Sequence, residues 1–344
     1  MRVGGYSKIS SDSCPSRSSL RSRQSTTAWA WPGVFFHKPK DGQMNKDSGN
    51  LILPNMSMVA GAYTGNDSWL VGGGHFRNWN KDRYRYNVMA GYANINLDWY
   101  GNEDFPLNGR SVRFNVEGAM LSQEFLARLG NSRWFMGADW QFLNSDVQFQ
   151  TSLPISLPVV ENTISAIGVV ALYENLDYRL SPRKGFKTEL SAAVNRDAIG
   201  SDFDYEEFAW NVRQYFELGE KATLSWRFDG ATTSGDVPFY LEPSIQIQGI
   251  QALRYQGPTA ATVEIRAGYD VHPRWTILGF VGGGRTADSV SDLGSETTRT
   301  AYGIGFRYLL AKVLGMRAGI DIARGPEVTY VYLVTGSAWN TSGF

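Results

Sequence analysis

The sequence predicts an all-β chain that crosses a membrane as an antiparallel barrel of about sixteen strands. Three observations predict it. Polar and apolar residues alternate through most of the chain, in runs able to cross a bilayer at ~9–11 residues per strand. No stretch holds the ~18 uninterrupted apolar residues that a spanning helix needs. Aromatic residues at 13% and 37 glycines suit many strands joined by tight turns better than packed helices.

Residues 1–32 are expected to be irregular, and 33–344 to form the barrel domain. The opening "MRVGGYSKISSDSCPSRSSLRSRQSTT" is rich in Ser and Arg and has no apolar core, so it reads as disordered. Its basic start is never followed by the apolar run of a secretory signal, although an exported barrel needs one. The expectation is a mis-assigned start upstream of Gly33.

The first strand surrounds "GVFFH" at 33–37, and further strands follow near 55–63, 68–77 and 83–98. The strand near 111–129 sets Val112, Phe114, Val116, Gly118 and Met120 against Arg113, Asn115 and Glu117. The next, near 133–148, sets Trp134, Met136, Ala138, Trp140 and Phe142 against Phe135, Asp139 and Gln141. Strands near 162–173 and 185–195 precede one near 202–217, where Phe208, Trp210 and Val212 oppose Glu207, Asn211 and Arg213. Near 221–234, Leu224, Trp226 and Phe228 oppose Ser225, Arg227 and Asp229. The segments 240–247, 260–269 and 275–286 follow. Near 299–308, Tyr302, Ile304, Phe306 and Tyr308 oppose Gly303, Gly305 and Arg307. Near 314–322, Met316, Ala318, Ile320 and Ile322 oppose Arg317, Gly319 and Asp321, and a last strand lies near 328–339. The total is even, as closure of a bacterial barrel requires.

A soluble antiparallel sheet with one wet face is the competing reading. Against it, Trp69, Trp99, Tyr100, Trp134, Trp226, Trp275 and Trp339 lie near strand ends, as the interfacial girdles of membrane barrels do. The connections are also unequal. "GNEDFPLNGR" and "TADSVSDLGSETT" are long and polar, while "DVHPR" and the turn at 311–314 are short, which is the asymmetry of an outer-membrane barrel.

Composition excludes several functions. Lys+Arg and Asp+Glu both number 33, so there is no basic field for nucleic acid. Cys14 is the sole cysteine, which leaves no internal disulfide and no cysteine-rich metal site. His37, His75 and His272 lack metal-ligand spacing, and His75 alternates with Val71 and Gly73 as a wall residue. "GFVGGGRT" follows no βαβ pattern and opens no helix, so its glycines read as room for a loop against a wall. Neither a cofactor nor a metal is expected, and no nucleophile elbow frames a serine, so an outer-membrane enzyme ranks third among the readings.

"GVFFHKPKDG", "GNDSWLVGGGHF", "ANINLDWYG" and "FRYLLAKVLGMRAGIDIARGPE" resemble the bacterial surface antigen family of Gram-negative outer-membrane barrels. That family includes the BamA insertase, its TamA relative and the two-partner secretion transporters. "LDYRLSPRKGF" is similar to its strand junction, with Asp177, Pro182 and Gly185 matching and Leu176 standing where an arginine is usual. The resemblance runs from about Val34 to Trp339. It implies that Ile247 to Gly257, "IQGIQALRYQG", is a long loop folded into the lumen, here carrying Gln248, Gly249 and Ile250 at its tip. The family's tip arginine is Gln248, and the wall aspartate it would meet in the Phe280 to Gly284 pattern is Gly282. Both charges are gone together, which costs less than leaving one buried alone. What remains is Arg254, beside Tyr255, and the inward pair Glu264 and Arg266. The expectation is that Arg254 pairs with Glu264 or another wall carboxylate and pins the loop. Trp339 ends the last strand as an assembly signal should, with Phe344 a rival terminal aromatic.

The resemblance implies outer-membrane lipid as surroundings and the outer-membrane assembly machinery as a partner during insertion. It leaves two functions open. One is a stand-alone pore or structural surface barrel, the expected reading because only about thirty irregular residues stand ahead of the barrel in this sequence, where assembly factors of the family carry periplasmic repeat domains. The other is an assembly or translocation factor acting on unfolded outer-membrane proteins.

Overall fold

The computed structural model describes residues 28–37, 46–47, 50–51, 54–101, 107, 110–150, 158–312, 315–337 and 339. Fifteen strands form one antiparallel meander: β1 (Ala28–Phe36), β4 (Met56–Thr64), β5 (Trp69–Trp79), β6 (Tyr84–Trp99), β7 (Val112–Arg128), β8 (Trp134–Phe149), β9 (Val160–Leu176), β10 (Gly185–Asn195), β11 (Tyr205–Leu218), β12 (Ala222–Gly235), β13 (Thr259–His272), β14 (Trp275–Ala287), β15 (Arg299–Ala311), β16 (Met316–Arg324) and β17 (Thr329–Thr335). A separate two-stranded ladder, β2 (Lys46–Asp47) and β3 (Asn50–Leu51), lies between β1 and β4 in sequence. Each strand of the large sheet pairs with its neighbours in sequence, and β1 and β17 are its two edges, with no ladder joining them among the described residues.

Fifteen strands stand where sixteen were expected, and the difference is 240–247. Pro243 in that segment has no N–H to give a ladder. Ile245 and Ile247, spaced as on a strand, are buried with Ile250 and Ala301 instead of facing a membrane. The segment therefore belongs to the connection 236–258, which is longer than the expected loop and begins before it. The first strand starts at Ala28, ahead of Gly33, and 1–27 lie outside the described residues, as does Phe344.

The sheet has one apolar outer face. Val169, Tyr302, Ile304, Ile277 and Val281 are all more than half exposed, a pattern that water would penalise and a bilayer would not. Near the ends joined by short turns the outer face carries packed aromatics: Trp79, Tyr84 and Phe125 stack together, Trp134 meets Tyr173, and Trp275 meets Tyr308. β6 to β9 run 16 or 17 residues, more than the ~9–11 a bilayer needs. Their surplus length explains a reversal in β7. Phe114 is fully buried on the inner face and Glu117 lies on the outer one, bonded to Tyr92 and Asn94, the opposite of apolar-out alternation. Beyond the bilayer the outside is wet, and the inside is packed by the 236–258 loop.

Candidate functional site

The site is the inner face of β11 to β16 together with the loop 236–258. The loop is a closed lobe: Ile245 N–H donates to the Tyr255 carbonyl at 3.1 Å, Gly257 N–H to that of Pro243 at 3.1 Å, and Ser244 bridges Gln256. One side of the lobe lies on β14 to β16, where Ile245, Ile247 and Ile250 bury against Ala301. A Cβ on Gly284 would come within 2.6 Å of Ile245, so that glycine makes room for the loop. The other side reaches the opposite wall. Phe239 lies 5.0 Å from Phe114 and 5.2 Å from Trp99, and Tyr240 buries with Phe114, Val147 and Ile164. The loop therefore bridges the lumen from β14–β16 to β6–β9.

Its tip is seated backbone to backbone. Gly249 adopts φ 100, and a Cβ there would lie 2.9 Å from the Gly325 nitrogen, while one on Gly325 would lie 2.1 Å from the Gly249 oxygen. Only glycine fits at both places. Gly249 N–H also donates to the Tyr332 hydroxyl at 2.8 Å. Beside it, Gln248 Oε1 accepts from Arg266 Nη2 at 3.0 Å, so the wall supplies the cation and the loop the acceptor.

Glu264 is 1% exposed and is held by three donors: Arg227 at 3.0 Å, Arg266 at 3.0 Å and the Trp339 indole N–H at 3.0 Å. A buried carboxylate is tolerable only when so completed. Arg254 does not reach it. The guanidinium lies 3.8 Å from the Tyr100 ring centroid and its Nε is 3.6 Å from Glu327, on the β16–β17 turn. Tyr255 donates to the same Glu327, and Gln251 donates to the Tyr100 hydroxyl. Burial, and then the bond to Glu327, raises the Tyr255 phenol above its ordinary pKa. The neutral, donating phenol therefore supports the loop fully below that ordinary value, and the support is lost as pH climbs through the raised one.

The wall continues the network. Arg307 makes a two-pronged bond to Asp321 at 2.5 and 2.7 Å, Arg266 Nη1 is 3.6 Å from the same carboxylate, and Arg213 and Arg227 share Asp229 at 2.5 and 2.9 Å. Asp321 is fully buried, and a Cβ on Gly305 would lie 1.9 Å from it. Phe280 packs under the Arg266 guanidinium at 4.6 Å, and Gly282 pairs with Glu264 across β13–β14, where a Cβ would meet the Val263 oxygen at 2.7 Å. Trp339, Trp99 and Tyr100 all lie inward, not in the outer girdle. Trp339 is 5% exposed and packs on Tyr215 and Leu176.

The strand junction 177–184 is organised by Asp177, whose Oδ1 accepts from the N–H groups of Tyr178, Arg183 and Lys184 at 2.8, 3.0 and 3.2 Å. Gly185 adopts φ 123, and a Cβ there would strike the Asn175 oxygen at 1.9 Å. That turn presents Arg183 to Asp270 at 2.7 Å. Elsewhere, pairing of β1, β4 and β5 brings together two histidines distant in sequence. His37 and His75 bond Ser57 Oγ at 2.8 and 2.9 Å. His37 is exposed and Ser57 and His75 are half-buried, and no group of three or more metal-ligating side chains occurs among the described residues.

Sequence reading had singled out Gln248, Gly249, Ile250, Glu264, Arg266, Phe280, Gly282 and Gly284, and the structure places them around one lumen wall. Arg227, Arg307, Asp321, Tyr332, Glu327 and Gly325 escaped it. Their sign was present for the first three, as charges opposite an apolar strand face.

No protein-family model matches the chain, and no curated protein matches it. Solved structures do resemble it. BamA from Haemophilus ducreyi, in a form lacking POTRA domains 1–3, aligns with a TM-score of 0.57 at 12% identity, over 90% of this chain and 67% of that one. CdiB from Escherichia coli aligns at 0.60 with 9% identity, over 90% and 59%. CdiB from Acinetobacter baumannii aligns at 0.57 with 11% identity, over 91% and 56%. The fold is that of these outer-membrane barrels, and the chain spans between 56% and 67% of their lengths.

Proposed function

We propose that this chain is an integral outer-membrane barrel of the bacterial surface antigen type, a non-enzymatic surface barrel whose lumen is plugged at rest by the loop 236–258. One observation carries the reading: the loop is fastened to two facing walls, through Gly249 and Gly325 on one side and Phe239 and Phe114 on the other. A freely conducting pore would not fill its lumen so. Outer-membrane lipid surrounds the exposed apolar face, and the assembly machinery acts on the chain during insertion. The apolar outer face, the aromatic belt and the likeness of fold to BamA and CdiB support that location.

Single-channel recording in planar bilayers tests this. The native barrel is expected to be silent or to open only briefly, and replacing 238–256 by a short Gly-Ser linker should give steady conductance. Steady conductance of the native barrel would overturn the plug. A second reading, assembly or translocation of other polypeptides, is favoured by the sheet edges β1 and β17, which no ladder joins among the described residues, since a free strand edge is a template for pairing with another extended chain.

A further inference from the structure

Near the short-turn end of the lumen lies a cavity of about 100 Å³, lined by Arg183, Arg266, Arg307 and Arg317 together with the hydroxyl residues Thr276 and Ser337. No carboxylate is among its lining residues. The acids stand behind the arginines and are already divided among them. Asp321 takes both prongs of Arg307, at 2.5 and 2.7 Å, and Asp270 takes Arg183 at 2.7 Å and Arg317 at 3.5 Å. Glu264 takes Arg266 at 3.0 Å but is shared with Arg227. Glu217, the remaining partner of Arg183, has a side chain 43% exposed, so its charge is largely screened.

The count leaves positive charge over. Four guanidinium groups face the cavity and three carboxylates stand behind them, Asp321 and Glu264 buried and Asp270 half-buried; Glu264 also serves Arg227, which shares Asp229 with Arg213. Arg266 records the imbalance. Its Nε is buried with no hydrogen-bond partner among the described residues, and its Nη1 lies 3.6 Å from Asp321, beyond hydrogen-bond distance. A buried N–H on a cation left unmade costs more than a neutral one. A single water needs only ~10–15 Å³ of such space, so the cavity takes a polyatomic ion or several waters. Planar guanidinium forks suit the paired oxygens of a tetrahedral oxyanion.

We propose that this cavity is a binding site for a phosphate group, held by Arg183, Arg266, Arg307 and Arg317. The proposal rests on the wall and the 177–184 turn and stands whether or not the loop plugs the lumen. The phosphate could be supplied free or as the terminal phosphate of a lipid headgroup, and both sources present the same oxygens.

The test uses the full chain folded in a phosphorus-free detergent. Inorganic phosphate is titrated at ionic strength held constant with sodium chloride, while calorimetry follows binding and a thermal scan follows the unfolding midpoint. Saturable binding at one site is expected, with a midpoint raised by phosphate and not by chloride. Arg317→Gln, which leaves the Arg307–Asp321 pair intact, should weaken binding about tenfold or more, as loss of one charged bond predicts. Absence of saturable binding in the native chain, or an equal shift with chloride, would overturn the proposal whatever the variant does, and so would unchanged affinity in a folded Arg317→Gln. Adding phosphatidic acid to the micelles separates the sources: competition with inorganic phosphate assigns the site to a lipid headgroup, and undiminished phosphate binding assigns it to the free ion.

Discussion

At the scale of single residues, the lumen is governed by which acceptors are completed and by whom. Glu264 takes its third hydrogen bond from the Trp339 indole, at 3.0 Å. Trp339→Phe keeps an aromatic ring against Tyr215 but removes that donor together with part of the buried indole. It should cost at least about 1.5–3 kcal/mol, the usual worth of a hydrogen bond to a charged group, with the lost ring volume adding to it, read as a lower midpoint in a denaturant titration of the folded barrel. A neutral result would mean that water replaces the indole. The sequence showed Trp339 as the end of a last strand and so as a membrane-facing aromatic. It could not show the chain turning inward after Thr335, because that depends on Glu264 lying 75 positions away in sequence. Glu264 and Arg266 were legible for the opposite reason: inward alternation on β13 is a local property.

At the scale of elements, strands were legible and the loop only partly so. Fifteen of the runs with alternating faces became strands because period-two alternation is what a sheet with two unlike faces demands. The segment 240–247 carried the same period and became loop, since an apolar face can be buried by a lumen wall as well as by lipid. The tip glycine Gly249 was visible in the sequence, and its partner Gly325 lies within the stretch 306–327 that resembles the family, but nothing local tied the two together across 76 positions. Arg254 was expected to pair with Glu264 or another wall carboxylate; its carboxylate is Glu327 on the β16–β17 turn, with Tyr100 beneath the guanidinium, and not Glu264. Arg254→Ala should free the far end of the lobe while Gly249 keeps the tip seated. Limited proteolysis is expected to cut within 251–256 several times faster than in the native barrel, with the strands untouched. Unchanged cleavage would place the anchoring in the apolar contacts of Ile245, Ile247 and Ile250 alone.

At the scale of the whole molecule, the sheet ends in two edges, and hydrocarbon does not tolerate unpaired backbone: each unsatisfied group costs several kcal/mol there. In the bilayer, β1 and β17 must therefore be occupied. If the protein is a structural barrel, they pair with each other. As first and fifteenth strands of an antiparallel meander they run the same way, so the seam is a parallel ladder and not the antiparallel one an even number gives. A double variant Val34→Cys, Val331→Cys should then form a disulfide within one chain under mild oxidation. Failure to do so, with cross-linking from Val331→Cys to an unfolded outer-membrane polypeptide, would favour the assembly reading. The interlock of Gly249 with Gly325 bears on time as well as shape. The seat for Gly249 exists only where the β16–β17 turn has placed Gly325, so seating of the lobe and formation of the final hairpin are coupled. A side chain added at Gly325 is then expected to slow the last folding step as well as weaken the seated loop, read as a slower refolding phase with the strands otherwise intact.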